Sequence, residues 1–121
     1  ETSPAVKQKL LAASSRDTVR SRSRTGKPSR QLRSAWTDAW EAEGAPKPLP
    51  MPLQTFISES PLRLIDKLAE GGHAGANDLA TYWVGQGVGL MNAPISAGAV
   101  VQQFKEDFVR AYERLAAAVG A

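Results

Sequence analysis

The final helix-forming stretch constrains the fold of this chain more than any other. Ser96 is placed to cap a helix, and Val101, Phe104, Phe108, Tyr112, Leu115 and Val119 then recur at three- and four-residue steps. They mark one face over about six turns. Glu106 and Arg110 add an i, i+4 ion pair outside it. An apolar stripe this long needs a partner surface from end to end, and the rest of the chain must either supply it or leave it bare.

The preceding segments supply more stripes of the same kind. Ser3-Pro4 is a capped helix start, and Val6, Leu10 and Ala13 share a face, so residues 4–14 are expected as a short amphipathic helix. Between Asp17 and Arg24 the period changes to two, with Val19, Ser21 and Ser23 alternating with arginines; an edge strand or extended loop is expected. Pro28 is expected to open a helix whose face carries Leu32, Ala35, Trp36, Ala39 and Trp40, ending at Gly44. Two tryptophans on one stripe read as core or docking surface. Ser60-Pro61 repeats the capped start, with Leu62, Ile65, Leu68 and Ala69 as the stripe and Gly71-Gly72 as the stop. Between these helices, Pro46-Lys-Pro-Leu-Pro-Met-Pro52 excludes both helix and central strand, because each proline lacks a donor and restricts the residue before it. An extended connector over residues 45–56 is expected, either laid across a surface or offered to an aromatic groove. The count is about five helices and at most one short strand. Such stripes can close on one another as a bundle or can be built for a larger body, and pattern alone does not choose.

The segment Asp78 to Met91 holds the chemically distinctive residues. Tyr82 and Trp83 stand beside Gly85, Gly87 and Gly89, with Gln86 between the first two glycines. An aromatic pair offers a flat apolar wall, glycines allow close backbone approach, and a glutamine amide both donates and accepts. This suits the rim of a ring-shaped ligand; it equally suits a close-packed helix or turn, opened by Asn77 or Asp78 as cap and broken at Asn92-Ala93-Pro94.

Other chemistries are narrowed by what the chain lacks. With no cysteine and a single histidine, His73, thiolate sites, disulfides and histidine metal clusters are out of reach. His73 is expected to be a loop residue without a catalytic role. The absence of cysteine fits a reducing cytoplasm, and no apolar run is long enough for a membrane span. Gly85-x-Gly87-x-Gly89 lacks the dinucleotide-binding spacing, and no complete catalytic set is present. From Arg16 to Arg33 there are seven basic residues against Asp17 alone. The run could meet phosphate or an acidic partner as a small basic helical module, but it has no interleaved aromatic for base stacking, so nucleic acid is disfavoured.

Taken in order, the motifs resemble one family. Thr25-Gly26-Lys27-Pro28-Ser29-Arg30, the proline-leucine run ending at Gln54, and Trp83-Val84-Gly85-Gln86-Gly87 resemble nitronate monooxygenases, formerly called 2-nitropropane dioxygenases. The likeness takes in the opening and closing helices and so nearly the whole chain, but only the C-terminal portion of the family's length. Flavin-dependent enoyl-acyl carrier protein reductases are close relatives. The resemblance implies an α-rich segment, spanning residues 1–121, of an α/β (β/α)8 flavin-binding barrel. It implies an FMN enzyme that oxidises alkyl nitronates with O2 to a carbonyl compound and nitrite. The family's catalytic histidine and phosphate-binding strands would lie upstream, and His73 does not match that histidine. Trp83, Gly85, Gln86 and Gly87 would lie on the flavin or substrate side. Alone, the chain is expected to lack flavin affinity and activity, the remainder of the barrel or a companion chain being its partner.

Overall fold

A computed structural model describes residues 3–91 and 93–120. The order of elements is helix α1 (Pro4–Ala12), strands β1 (Thr18–Ser21) and β2 (Ser29–Leu32), and helices α2 (Ala35–Glu41), α3 (Leu53–Glu70), α4 (Ala74–Leu79) and α5 (Ala97–Val119). The helix-rich expectation holds. The sheet corrects it: two strands pair antiparallel, Thr18 opposite Leu32 and Ser21 opposite Ser29, where at most one was expected. Pro28 does not open a helix. The chain leaves it extended, Leu32 is a strand residue, and α2 begins only after Ser34, whose side chain and that of Thr37 each receive the other residue's backbone N–H in a capping box. The 82–84 segment lies along the edge of β2 that β1 leaves free. Leu32 N–H donates to the Tyr82 carbonyl at 2.9 Å and Val84 N–H to the Arg30 carbonyl at 3.1 Å, around a bridge between Gln31 and Trp83. The central segment is therefore extended and then turned, not helical. Asn77 and Asp78 lie inside α4, which His73 caps by accepting the Ala76 N–H on Nδ1 at 3.2 Å. Asn92, expected to help break the segment, lies outside the described residues.

Helix α3 departs furthest from expectation. It starts at Leu53 and runs through Pro61, so the connector ends at Pro52 and Ser60 caps nothing. An internal proline costs about 3 kcal/mol by removing a hydrogen bond and crowding the preceding turn. The helix is continuous because its inner face is docked on both sides of the proline. Gln54, Ser58, Leu62 and Ala69 are buried, and Ile65 packs against the core, all at three-, four- and seven-residue steps. Half of that face is polar and is fixed by hydrogen bonds. Gln54 Nε2 donates to the Ser23 carbonyl at 2.7 Å, Gln54 Oε1 accepts from Leu49 N–H at 2.9 Å, and Ser58 Oγ donates to the Arg24 carbonyl at 2.5 Å.

Among the described residues a small apolar core joins Val6, Ala69, Ala76 and Ala80, flanked by Ala5, Leu10, Ile65 and Tyr82, and Leu32, Leu62 and Val88 are buried outside it. Lys9 closes it by donating its Nζ to the Asn77 and Ala80 carbonyls at the end of α4, where the helix dipole favours a cation. Burial there pushes the Lys9 ammonium below its usual range, with Asp78 acting in the opposite sense.

The apolar stripe of α5 and the outer apolar residues of α3 are bare. No residue of α5 is buried, and Phe104, Phe108 and Tyr112 are 69%, 74% and 66% exposed. On α3 the face opposite the docked one shows Leu53, Phe56, Ile57, Leu64 and Leu68 to solvent, and Leu49 and Met51 of the connector are uncovered too. The connector does lie across a surface, but with its backbone rather than its side chains: it crosses directly over Gly26.

Candidate functional site

The expected site residues form a continuous exposed corner. Trp83 is held at the backbone by its bridge to Gln31 and remains 44% exposed. Gly85, Gln86 and Gly87 follow it into a turn and are exposed. A Cβ at Gly87 would meet nothing within 4 Å and one at Gly85 only the Gly87 nitrogen at 3.9 Å, so these two glycines leave open space at the surface. Gly89 is different. It has φ +93, and a Cβ there would stand 3.0 Å from the Ser14 Cα, so the turn is seated against the α1–β1 connection. The adjacent Val88 is buried and anchors the same turn.

Behind Trp83 lies a residue that the sequence did not single out for this site. The Arg24 guanidinium carbon sits 4.1 Å from the Trp83 ring centroid and 5.6 Å from that of Tyr82. The two rings are themselves in edge contact, centroids 5.6 Å apart at 73°. Arg24 Nη1 also donates to the Thr81 carbonyl at 3.1 Å, and Thr81 Oγ1 donates to the Leu32 carbonyl at 2.6 Å. Burial pushes the Arg24 guanidinium below its usual range, offset in part by Asp66 and by Tyr82. Burial likewise raises the Asp66 carboxyl, with Arg24 pulling it down and Glu70 adding to the rise. In sequence Arg24 is one arginine among several in alternation with serines. Its pairing with Trp83 is made by the fold, across 59 positions of chain, and no local signal distinguishes it from Arg22.

The basic run as a whole is less available than its density suggested. Arg22 Nε donates to the Gly26 carbonyl at 2.8 Å, Arg30 Nη1 to Thr18 Oγ1 at 2.8 Å, and Arg33 lies 3.5 Å from Asp38. With Arg24, four of the seven cations are engaged within the chain. Arg16, Arg20 and Lys27 remain at the surface.

Beneath the corner the interior is polar. Gln31 and Ser23 are fully buried, and Gln31 Nε2 donates to Ser29 Oγ at 3.2 Å and to the Ser21 carbonyl at 3.4 Å. Among the described residues Gln31 Oε1 and Ser23 Oγ have no hydrogen-bond partner. A shallow depression of about 320 Å³ lies elsewhere, on the outer face of α3 between Phe56, Glu59 and Arg63, and shares no residue with the corner. Among the described residues no group of histidine, aspartate and glutamate side chains could hold a metal ion, and no helix is long and apolar enough to cross a membrane. His73 is exposed and caps α4.

The corner fits the rim of a flavin ring system in part. It offers a half-exposed aromatic wall, an exposed carboxamide and unobstructed backbone beside them. Nothing in it cradles a phosphate, so a flavin's phosphate would have to be held by other residues.

No family model and no solved structure matches the chain. It is 51% identical over 109 residues to the Mycobacterium tuberculosis (strain ATCC 25618 / H37Rv) protein named "Putative monooxygenase Rv1533". The match takes in 90% of this chain and 29% of that protein, so the chain spans less than a third of the length of the curated relative it resembles.

Proposed function

We propose that residues 1–121 are the C-terminal portion of an FMN-dependent monooxygenase that oxidises alkyl nitronates with O2 to a carbonyl compound and nitrite. In this reading the remainder of a (β/α)8 barrel covers the bare faces of α3 and α5, and the protein works in the cytoplasm. The observation that carries it is the combination of 51% identity to a protein named as a monooxygenase with coverage of only 29% of its length. The unpartnered stripes agree: a chain that folded for itself would not leave Phe56, Phe104, Phe108 and Tyr112 each more than 60% exposed.

Flavin, when bound, supplies the redox chemistry. The residues of this chain would contribute one wall of the pocket. Trp83 presents a ring surface on which a planar group can stack, and the Gln86 amide can donate to a carbonyl or accept from an N–H at the ring's edge. The turn that follows is anchored by buried Val88, so Gln86 is carried on a fixed backbone. None of these groups is a proton acceptor of suitable strength, so acid–base steps belong to residues elsewhere in the complete protein.

The test is a comparison of two polypeptides. A longer protein carrying residues 1–121 at the length of the mycobacterial relative is expected to purify yellow and to release nitrite from an alkyl nitronate in air. The 121-residue chain is expected to be colourless and inactive. Tight flavin on the short chain, or none on the long one, contradicts the reading.

A further inference from the structure

We propose that Arg24 is a positioning residue for the Trp83 wall, setting the ring's orientation before any ligand arrives. Three hydrogen bonds fix the arginine and the residue before it. Its carbonyl accepts from Ser58 Oγ of α3, the preceding Ser23 carbonyl accepts from Gln54 Nε2, and its own Nη1 donates to the Thr81 carbonyl. The backbone at residues 23 and 24 is thus tied to helix α3, and the guanidinium to the segment that carries Trp83. From there it stacks 4.1 Å from the Trp83 centroid while Tyr82 meets the same ring in edge contact. A tryptophan that is 44% exposed would otherwise sample several rotamers. With one contact made by a planar cation and another by a phenol ring, it is held.

The physical gain is pre-organisation. A planar ligand stacking on a mobile ring must freeze that ring, whereas a clamped ring has already lost its freedom on folding. Arginine is suited to this and lysine is not, because the flat guanidinium both stacks on an aromatic face and bonds a carbonyl in fixed geometry. The role for Arg24 rests on the flavoprotein reading only as regards the ligand; the clamp is a property of this chain.

The experiment therefore has two arms. In the first, the 121-residue chain is labelled with 5-fluorotryptophan and followed by fluorine NMR, the Trp83 resonance being assigned with Trp83→Phe. In Arg24→Lys and Arg24→Gln the Trp83 resonance is expected to move and its line shape to report faster ring motion. The Trp36 and Trp40 resonances, from a pair packed 6.0 Å apart on α2, are expected to stay and thus report an intact fold. Should Arg24→Gln disturb all three, Arg24→Lys, which keeps the charge, decides. An unmoved Trp83 resonance in a folded variant overturns the proposal. In the second arm, Arg24→Lys in the longer protein is expected to raise KM for a nitronate roughly threefold to tenfold with kcat nearly unchanged. Equal KM in a flavin-loaded variant whose Trp83 has moved overturns the role in the site. If the longer protein holds no flavin while the first arm succeeds, the flavoprotein reading fails and the clamp stands.

Discussion

Gly26 and Leu49 approach so closely that a Cβ added to the glycine would stand 2.4 Å from the leucine carbonyl oxygen, and 2.7 Å from the Met51 nitrogen. Gly26 also has φ +83. The proline-rich connector is thereby seated on the Thr25–Pro28 turn through bare backbone. Gly26→Ala is expected to destabilise the chain by about 2 kcal/mol or more, combining strained backbone with displacement of the connector. Gly44→Ala, at φ +81 with open space around it, is expected to cost only about 1 kcal/mol. Urea unfolding of the two variants side by side measures the difference; equal costs would mean that the connector does not rest on Gly26.

Gln54 links three parts of the chain through one buried amide. Gln54→Ala leaves the Leu49 N–H and the Ser23 carbonyl without their partner, and is expected to cost about 2–3 kcal/mol in urea unfolding. Ser58→Ala removes a single bond to the Arg24 carbonyl and is expected to cost about 1 kcal/mol.

These two residues also mark where the sequence was legible and where it was not. Local signals carried well: Ser3 and Ser96 cap α1 and α5 as their position before the stripe implied, and Gly71-Gly72 ends α3. The start of α3 was misplaced because half of its inner face is Gln54 and Ser58, which an apolar stripe does not reveal, and because Ser60-Pro61 imitates a cap. Leu32 and Trp36 keep helical spacing across a boundary set by Ser34, so the apolar pattern runs on through strand β2 as if it were helix. Trp83, Gly85, Gln86 and Gly87 do cluster at one corner, since they are adjacent in the chain. Arg24 was missed because its ring partner is far away in sequence.

Two carboxylates should pull stability in opposite directions with pH. Burial holds the Asp66 carboxyl above its usual range, so the folded chain retains that proton longer than the unfolded one. Its contribution is complete below the unfolded value of about 3.9 and is lost as pH rises through the raised folded value. Asp17 accepts from Ser14 N–H and Oγ at 2.8 Å each, which holds it low. Its contribution is present above about 3.9 and is lost as pH falls through the lowered folded value. Relative to the unsubstituted chain, Asp66→Asn is expected to gain stability as pH is raised from the acid limb to neutrality, and Asp17→Asn to lose it. Urea midpoints across that range give the sign of each, and parallel curves would contradict both.

The bare stripe of α5 should respond to substitution only when something covers it. In the isolated chain, Phe104→Ala and Phe108→Ala are expected to change stability by no more than about 0.5 kcal/mol each, as for surface sites. In a longer protein with the stripe covered, each is expected to cost about 3 kcal/mol.

Hydrogen exchange along α5 is the most direct measurement of whether this chain is part of a larger body. In the 121-residue chain, kept dilute enough to be monomeric, the amides of residues 101–119 are expected to exchange almost as fast as in an unpacked helix, while those of the α3 inner face are protected. In the longer protein the same α5 amides are expected to be protected at the level of the core. Full protection of α5 in the isolated monomer, or none in the longer protein, would contradict the account.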